Sequence, residues 1–331
     1  MTDAGKHGND EIEVSIIVPA LNEVENLPKL CEMVAEQLRP ISENYEIIIV
    51  DDGSSDGSLK LLKELHERDG RIQYLSFSRS FGHQPALIAG LEHCKGQAVI
   101  SMDADLQHPP ELIPEMVRLW REGNQVIFTT KKAGSNLSIF SLRRHLMSIG
   151  YMLLRRLSGM KLSFGQSDFR LLDRQVVECL RSFPERDKLL RGLVDWVGFK
   201  QTGISYDVPP RFAGESKYNL FSLFRLVLSG IFSYTIFPLR LFTGVGIFLA
   251  CICLCYALFA VISGLYGMVS ANEDLIPPGW ASLAAAITFL GSIQLIGIGL
   301  LGEYIGRIYD ETKHRPIYLI AESSHGFSEE N

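Results

Sequence analysis

Short apolar runs alternate with segments of helical period through the first 130 or so residues. Val14 to Val18, Tyr45 to Val50, Ile72 to Phe77, Ala98 to Met102 and Val126 to Thr130 each read as a buried strand. Between them, Leu27, Leu30, Met33, Val34 and Leu38 share one helical face within Glu25 to Leu38. Ser58 to about Arg68, a stretch through Ala86 and Leu91, and Leu112 to Arg121 supply further helices. Strands alternating with helices at this spacing predict βαβ units, right-handed crossovers and a mostly parallel sheet. Farther on, Gly165 to Leu172 reads as a turn into a strand, helical patterns resume near Gln175 and Leu189, and Lys200 to Val208 is strand-like.

The pattern then changes. Ser138 to Gly159 is basic and helical, with Arg143, Arg144, Arg155 and Arg156 among Leu and Met, which suits an amphipathic surface helix or one touching anionic headgroups. Asn219 to Tyr234 is apolar on most faces, with Arg225 its only charge, and reads as a helix lying in a membrane interface. Leu241 to Val269 and Leu275 to Gly302 contain no charged residue, and each exceeds the ~20 residues that cross a bilayer. The connector Ser270 to Asp274 has no Lys or Arg, whereas Arg240, Arg307, Lys313 and Arg315 flank the pair. The positive-inside rule therefore predicts a two-helix hairpin with both flanks cytoplasmic, and Trp280 at the outer interface fits the aromatic belt. In the tail, Ile317 to Ile320 has strand propensity and needs a sheet edge, its own or a neighbour's.

Composition narrows the chemistry. The net charge is −6, which argues against nucleic acid as a partner. No apolar leader precedes Glu13, so the first domain is expected to stay cytoplasmic. The six cysteines form no CxxC pair, and Cys251, Cys253 and Cys255 lie in an apolar run without His or carboxylate, so neither zinc nor a disulfide framework is indicated. No G-x-G-x-x-G follows the first strand, and neither a Walker A motif nor a G-x-S-x-G elbow occurs.

What the strands do carry is acid at their carboxyl ends, where α/β sheets bind ligands: Asn22 and Glu23, Asp51 and Asp52, Asp103 and Asp105. Asp103-Ala104-Asp105 with Gln107 supplies hard oxygen ligands for Mg²⁺ or Mn²⁺. Carboxylates also accept from ribose hydroxyls and base edges, so three such ends in one crevice suit a nucleotide-diphosphate donor. Arg211 and Lys217, on a Gly/Ser loop, suit phosphates.

In this order, the motifs Val18-Pro19-Ala20-Leu21-Asn22-Glu23, Val50-Asp51-Asp52-Gly53-Ser54, Ser78-Arg79-Ser80-Phe81-Gly82-His83, Asp103-Ala104-Asp105-Leu106-Gln107, Ser167-Asp168-Phe169-Arg170, Gly214-Glu215-Ser216-Lys217 and Gly302-Glu303-Tyr304-Ile305-Gly306-Arg307 span most of the chain. Together they resemble the polyprenyl-phosphate glycosyltransferases of the inverting GT-A, family-2 type. The resemblance implies an α/β chain: a GT-A, Rossmann-like sheet domain over residues 1–218, an interfacial helix over 219–236, a hairpin over 239–306 (spans near 241–267 and 279–302), and a cytoplasmic tail over 307–331. It implies nucleotide-sugar contacts at Pro19, Leu21, Glu23, Val50, Asp52, Asp103 and Ala104, with Lys131 where relatives often have Arg. Asp105 and Gln107, with Asp103 beside them, would hold the metal, and Arg211 and Lys217 the phosphates. An acid at Asp168 looks most like the glucosyl branch. Its role stays open between orienting a sugar hydroxyl, positioning the acceptor phosphate and serving as a base.

The implied reaction is transfer of a hexose, glucose from UDP-glucose first, to polyprenyl phosphate by an integral protein of a bacterial plasma membrane with both termini cytoplasmic. The same reaction with GDP-mannose or a UDP-amino sugar, or an inactive membrane scaffold, are the alternatives. A homo-oligomer is expected, with a tetramer the first guess from the resemblance.

Overall fold

The structure, a computed structural model, describes residues 12–131, 166–185, 190–207, 239, 241–249, 251–252, 255, 262 and 280–324. The basic helix expected over Ser138 to Gly159, the Arg211 and Lys217 loop, the interfacial helix, the outer connector and most of the first span lie outside the described residues. The described residues divide into two compact units. One ends before residue 221 and takes the chain up again at Arg315; the other lies between.

In the first unit, β1 (Val14–Ala20), β2 (Tyr45–Asp51), β3 (Ile72–Phe77) and β4 (Ala98–Ser101) alternate with α1 (Leu27–Leu38), α2 (Ser58–Arg68) and α3 (His83–His93). α4 (Ile113–Arg121), β5 (Val126–Lys131), β6 (Gln166–Asp173), α5 (Arg174–Ser182), α6 (Leu190–Trp196) and β7 (Gln201–Tyr206) follow, and β8 (Ile320–Ser323) completes the sheet. The order is β7-β5-β6-β4-β1-β2-β3-β8. β1 and β2 are buried at every position, as strands covered on both faces must be, which is why they read as unbroken apolar runs. Leu27, Leu30, Val34, Leu62, Met116 and Val117 pack one face. Leu87, Leu91, Val176, Leu180, Leu193 and Val194 pack the other. Each such side chain contributes about 1.5–3 kcal/mol on burial.

The expected mostly parallel sheet is corrected to a mixed one. β4 is parallel to β1, but its other neighbour is β6, running antiparallel in the register Ala98↔Asp173 to Ser101↔Arg170. β6 also pairs antiparallel with β5, so β5 never meets β4. Hydrophobic period marks a strand without marking its direction, and β6 comes from beyond the regular βαβ series.

α3 is buried across Ala86 to Leu91 and lies against β1. Gly90 permits that approach, because a Cβ there would stand 2.2 Å from Ile17 Cγ2. The tail strand begins at Ile320, three residues later than the sequence suggests, and pairs antiparallel with its own β3, Ser76 opposite Glu322. Tyr318 stacks on Phe77 with centroids 5.0 Å apart and its hydroxyl donates to Glu92, while Lys63 pairs with Glu322. In this chain, then, the β3 edge is taken by the chain's own tail.

In the second unit, α7 (Trp280–Thr312) is 33 residues, roughly 50 Å at 1.5 Å per residue. Its Phe289–Thr312 segment is the one helix among the described residues long and apolar enough to cross a membrane. Residues 241–249 are also helical, and Phe242 occupies the space above Gly297, where a Cβ would come within 2.1 Å of the ring. Contact between the two expected spans is therefore present, while the first span is described only in part.

Gly90→Ala should destabilise the sheet unit by about 1–3 kcal/mol through overpacking. Gly70→Ala, whose Cβ meets nothing within 4 Å, should move stability by less than about 0.5 kcal/mol. Thermal unfolding of both variants beside the parent checks the contrast.

Candidate active site

The carboxyl ends of β1, β2 and β4 and the amino end of β6 meet at one edge of the sheet, since β6 runs opposite to β4. The β1 and β2 loops are laced together. Asn22, at φ +58°, accepts from Ser55 N at 2.9 Å and its own N–H donates to Ser54 Oγ at 2.8 Å, while Asp56 accepts from Val24 N at 3.1 Å. Gly53 sits at φ +72° directly beneath the next loop, where a Cβ would meet the carbonyl carbon of Arg79 at 2.6 Å.

That loop is held by Asp52. Its carboxylate accepts from Ser80 Oγ at 2.7 Å, from Phe81 N at 2.6 Å and from Gly82 N at 3.0 Å, and it is buried. Asp51, also buried, accepts from Ser54 N and Ser76 Oγ. Both acids therefore shape the loops around the cleft. Pro19 and Val50 are register partners inside the sheet with buried side chains, and Ala104 is buried too, whereas Leu21 is exposed.

At the end of β4, Asp103 is bracketed by two histidines that carried no role in the sequence reading. His83, at the start of α3, places Nε2 2.9 Å from Asp103 Oδ1. His108 is buried, accepts from the Asp103 backbone N–H through Nδ1 at 2.9 Å, and stands with Nε2 3.6 Å from Oδ2. An accepting Nδ1 in a neutral ring puts the proton on Nε2, which donates to Ser167 Oγ at 2.6 Å. Burial pulls the His108 pKa down, more strongly than Asp103 pulls it up, which agrees with the neutral tautomer. Burial also lowers the His83 pKa, but its bond to Asp103 and the charge there prevail, so the net shift is upward. Phe169 stacks on His108 at 5.2 Å, and Lys131, exposed at the end of β5, is close enough for its charge to be felt at that imidazole.

Asp168 is in the cleft but not free. Arg191, on α6, grips it with two bonds, Nε to Oδ1 at 2.7 Å and Nη2 to Oδ2 at 2.6 Å, and the buried Arg170 lies 3.8 Å away. Burial pushes the carboxyl's pKa up, yet the Arg191 bonds and the two guanidinium charges outweigh it and hold it at about 2. Burial in turn lowers the Arg170 pKa to about 10. Arg191 and Arg170 were missed as site residues. Arg170 stood in a quoted motif, while Arg191 lies in a helix whose pattern says nothing of its partner.

Glu23, Asp103 and Asp105 come together as expected. The Glu23 pKa is raised, first by burial, against the bond from Asn26, and then by the charges of Asp105, Asp56 and Asp103. Among the described residues no three His, Cys, Asp or Glu side chains form a ready-made metal cage. Mg²⁺ commonly needs only one or two carboxylates, completing its shell with water and substrate phosphate. The crowding of acids around Glu23 and the hard oxygens of Asp105 and Gln107, whose N–H donates to Asp105 Oδ1 at 3.1 Å, fit such an ion. Arg211 and Lys217 lie outside the described residues.

Residues 15–181 match the family described as Glycosyl transferase family 2, and residues 237–308 match the GtrB C-terminal hairpin. An uncharacterised glycosyltransferase of a Synechocystis species is 40% identical over 311 residues, covering 94% of this chain and 95% of that one. A bactoprenol glucosyl transferase of Shigella phage SfV is 40% identical over 311 residues, 93% of this chain and 98% of its own. An uncharacterised glycosyltransferase of Bacillus subtilis is 36% identical over 94% of each chain. Carrying a GT-A-type α/β sheet with acids at its strand ends, and matched along nearly all of its length, the chain belongs to glycosyl transferase family 2 and is a glycosyltransferase.

Proposed function

We propose that this enzyme transfers a hexosyl group, with UDP-glucose the favoured donor, onto the phosphate of a polyprenyl phosphate, inverting the anomeric carbon. The observation that carries this reading is likeness over nearly the whole chain, hairpin region included, to proteins named bactoprenol glucosyl transferases. The hairpin over 239–306 would anchor the sheet domain at the cytoplasmic face, where a lipid acceptor's phosphate lies, with the helix over 219–236 in the interface.

A lipid monophosphate has a second pKa of about 6, so near neutrality it is largely dianionic and already nucleophilic. No residue has to remove a proton from it. The difficulty is that two polyanions must meet, and the site brings both acids and cations to one end of the sheet. Glu23, Asp103 and Asp105 supply acids, while Arg170 and Arg191 pair with Asp168 and the charge of Lys131 reaches His108. Asp105 and Gln107 would hold Mg²⁺ or Mn²⁺, which when bound neutralises charge on the leaving diphosphate. Asp103 and the β1 and β2 loops would receive the nucleotide. Arg211, Lys217 and Lys131 would hold phosphate oxygens. Asp168, held at about 2 by its guanidinium partners, is ionised throughout the neutral range and serves this site by orienting Arg191, not as a base.

Purified protein supplied with polyprenyl phosphate, Mn²⁺ and a panel of UDP- and GDP-sugars should form glycolipid best from UDP-glucose. Preference for GDP-mannose would overturn the donor assignment. Asp105→Ala should reduce turnover by at least about a thousandfold, as should excess chelator on the parent, with the thermal midpoint little changed.

Asp168 makes a separate prediction in acid. Its folded-state pKa of about 2 lies below the ordinary 3.8, so its stabilising effect is present above pH 4 and is lost as pH falls toward 2. Asp168→Asn should cost about 2–4 kcal/mol at pH 7, and the gap to the parent should close between pH 4 and 2 in denaturation curves.

A further inference from the structure

We propose that His83 is a positioning residue for the donor, fixing the Asp103 carboxylate so that it meets the nucleotide. The inference rests on the nucleotide-sugar reading of this site and assigns a function to a side chain that reading leaves unused.

Asp103 is tethered at two levels. Buried His108 takes the backbone N–H of Asp103 at 2.9 Å and thereby sets where the main chain leaves β4. His83 then holds one carboxylate oxygen at 2.9 Å, which fixes rotation about the Asp103 side chain. About a third of that side chain remains exposed, and so does 43% of His83, so the pair faces the cleft, not the core. A bond at a fully buried site would be explained by packing alone; a half-exposed bond to an acid at the end of the central parallel strands is placed to orient that acid for a ligand.

The mounting of His83 supports the same conclusion. It is the first residue of α3, directly after Gly82, whose φ of +106° turns the chain into the helix. The segment leading to it is anchored by Asp52, which accepts from Ser80 Oγ and from the N–H groups of Phe81 and Gly82. Phe81 is further packed edge-on against Phe77 at 5.7 Å and beneath the Arg79 guanidinium at 4.0 Å. The imidazole is thus held by a rigid loop that the β2 end itself supports. Asp52 and Asp103, both expected from the sequence to touch nucleotide, divide the work: Asp52 holds the loop, the loop presents His83, and His83 aims Asp103.

The requirement on position 83 is an N–H donor at the reach of Nε2. Gln places an amide N–H at about that distance, whereas the Asn amide falls short. In full-length protein in detergent, His83→Asn should raise the KM for the nucleotide sugar about tenfold and weaken UDP binding by calorimetry by a similar factor. The KM for polyprenyl phosphate should change by less than about twofold. His83→Gln should return both donor readouts to within about threefold of the parent, with equal thermal midpoints in the two variants. Equal donor affinity in Asn and Gln variants, whether both like the parent or both weakened, would overturn the proposal. If the parent binds GDP and not UDP, the donor assignment fails instead, and the Asn and Gln comparison made with GDP still decides the role of His83.

Discussion

Ser101 donates its hydroxyl hydrogen to the main-chain oxygen of Asp168 across 2.5 Å, where β6 runs antiparallel beside β4. That pairing sets the geometry of the site. It brings the amino end of one strand beside the carboxyl end of another, so Ser167 and Asp168 arrive next to Asp103 although 65 residues separate Asp103 from Asp168 in the chain. Ser167 Oγ then accepts the hydrogen bond from His108 Nε2, and Thr129 on β5 donates to the Phe169 carbonyl at 2.7 Å, fixing β6 from its other side. A parallel neighbour in that place would have presented its amino end at the opposite edge of the sheet.

The electrostatics follow from this juxtaposition. β1 and β4 end in Glu23, Asp103 and Asp105, and the charges of the two aspartates add to burial in raising the Glu23 pKa. β6 adds an acid that would worsen the crowding, but it comes with Arg170 two residues later and meets Arg191 from α6, so it is neutralised where it stands. The cleft therefore holds acids that a cation could bind and, beside them, an acid paired with two guanidinium groups. In the proposed reaction, where the hexosyl group passes from the leaving nucleoside diphosphate to a lipid phosphate, both would be needed to offset repulsion between the two substrates.

Two buried acids hold the loops around the cleft. Asp51 and Asp52 are buried and fully engaged with Ser54, Ser76 and the 80–82 segment, so the loops they hold are shaped before anything binds. On the far edge, Tyr318 and β8 cover β3, whose open edge would otherwise be a template for another chain. At the amino end of the sheet, buried Glu46 accepts from Ser15 Oγ at 2.5 Å and Lys95 N at 2.7 Å, closing β1, β2 and the turn before β4.

Local pattern alone determined the strands and helices of the first 130 residues, the acids at their ends and the long apolar segments near the carboxyl terminus. Burial on both faces makes a strand apolar throughout, and a sheet of this kind binds ligands where its strands end, so Asp103 and Asp105 could be located by counting. Strand direction, partner and charge state are not local quantities. Nothing in Gln166 to Asp173 says that the strand runs against β4, nothing around Arg191 names Asp168 as its partner, and nothing in Asp51-Asp52 says that Asp52 holds the 80–82 segment. His83 and His108 were visible as residues, but a histidine's function depends on what lies within 3 Å of each ring nitrogen, and only the folded chain decides that.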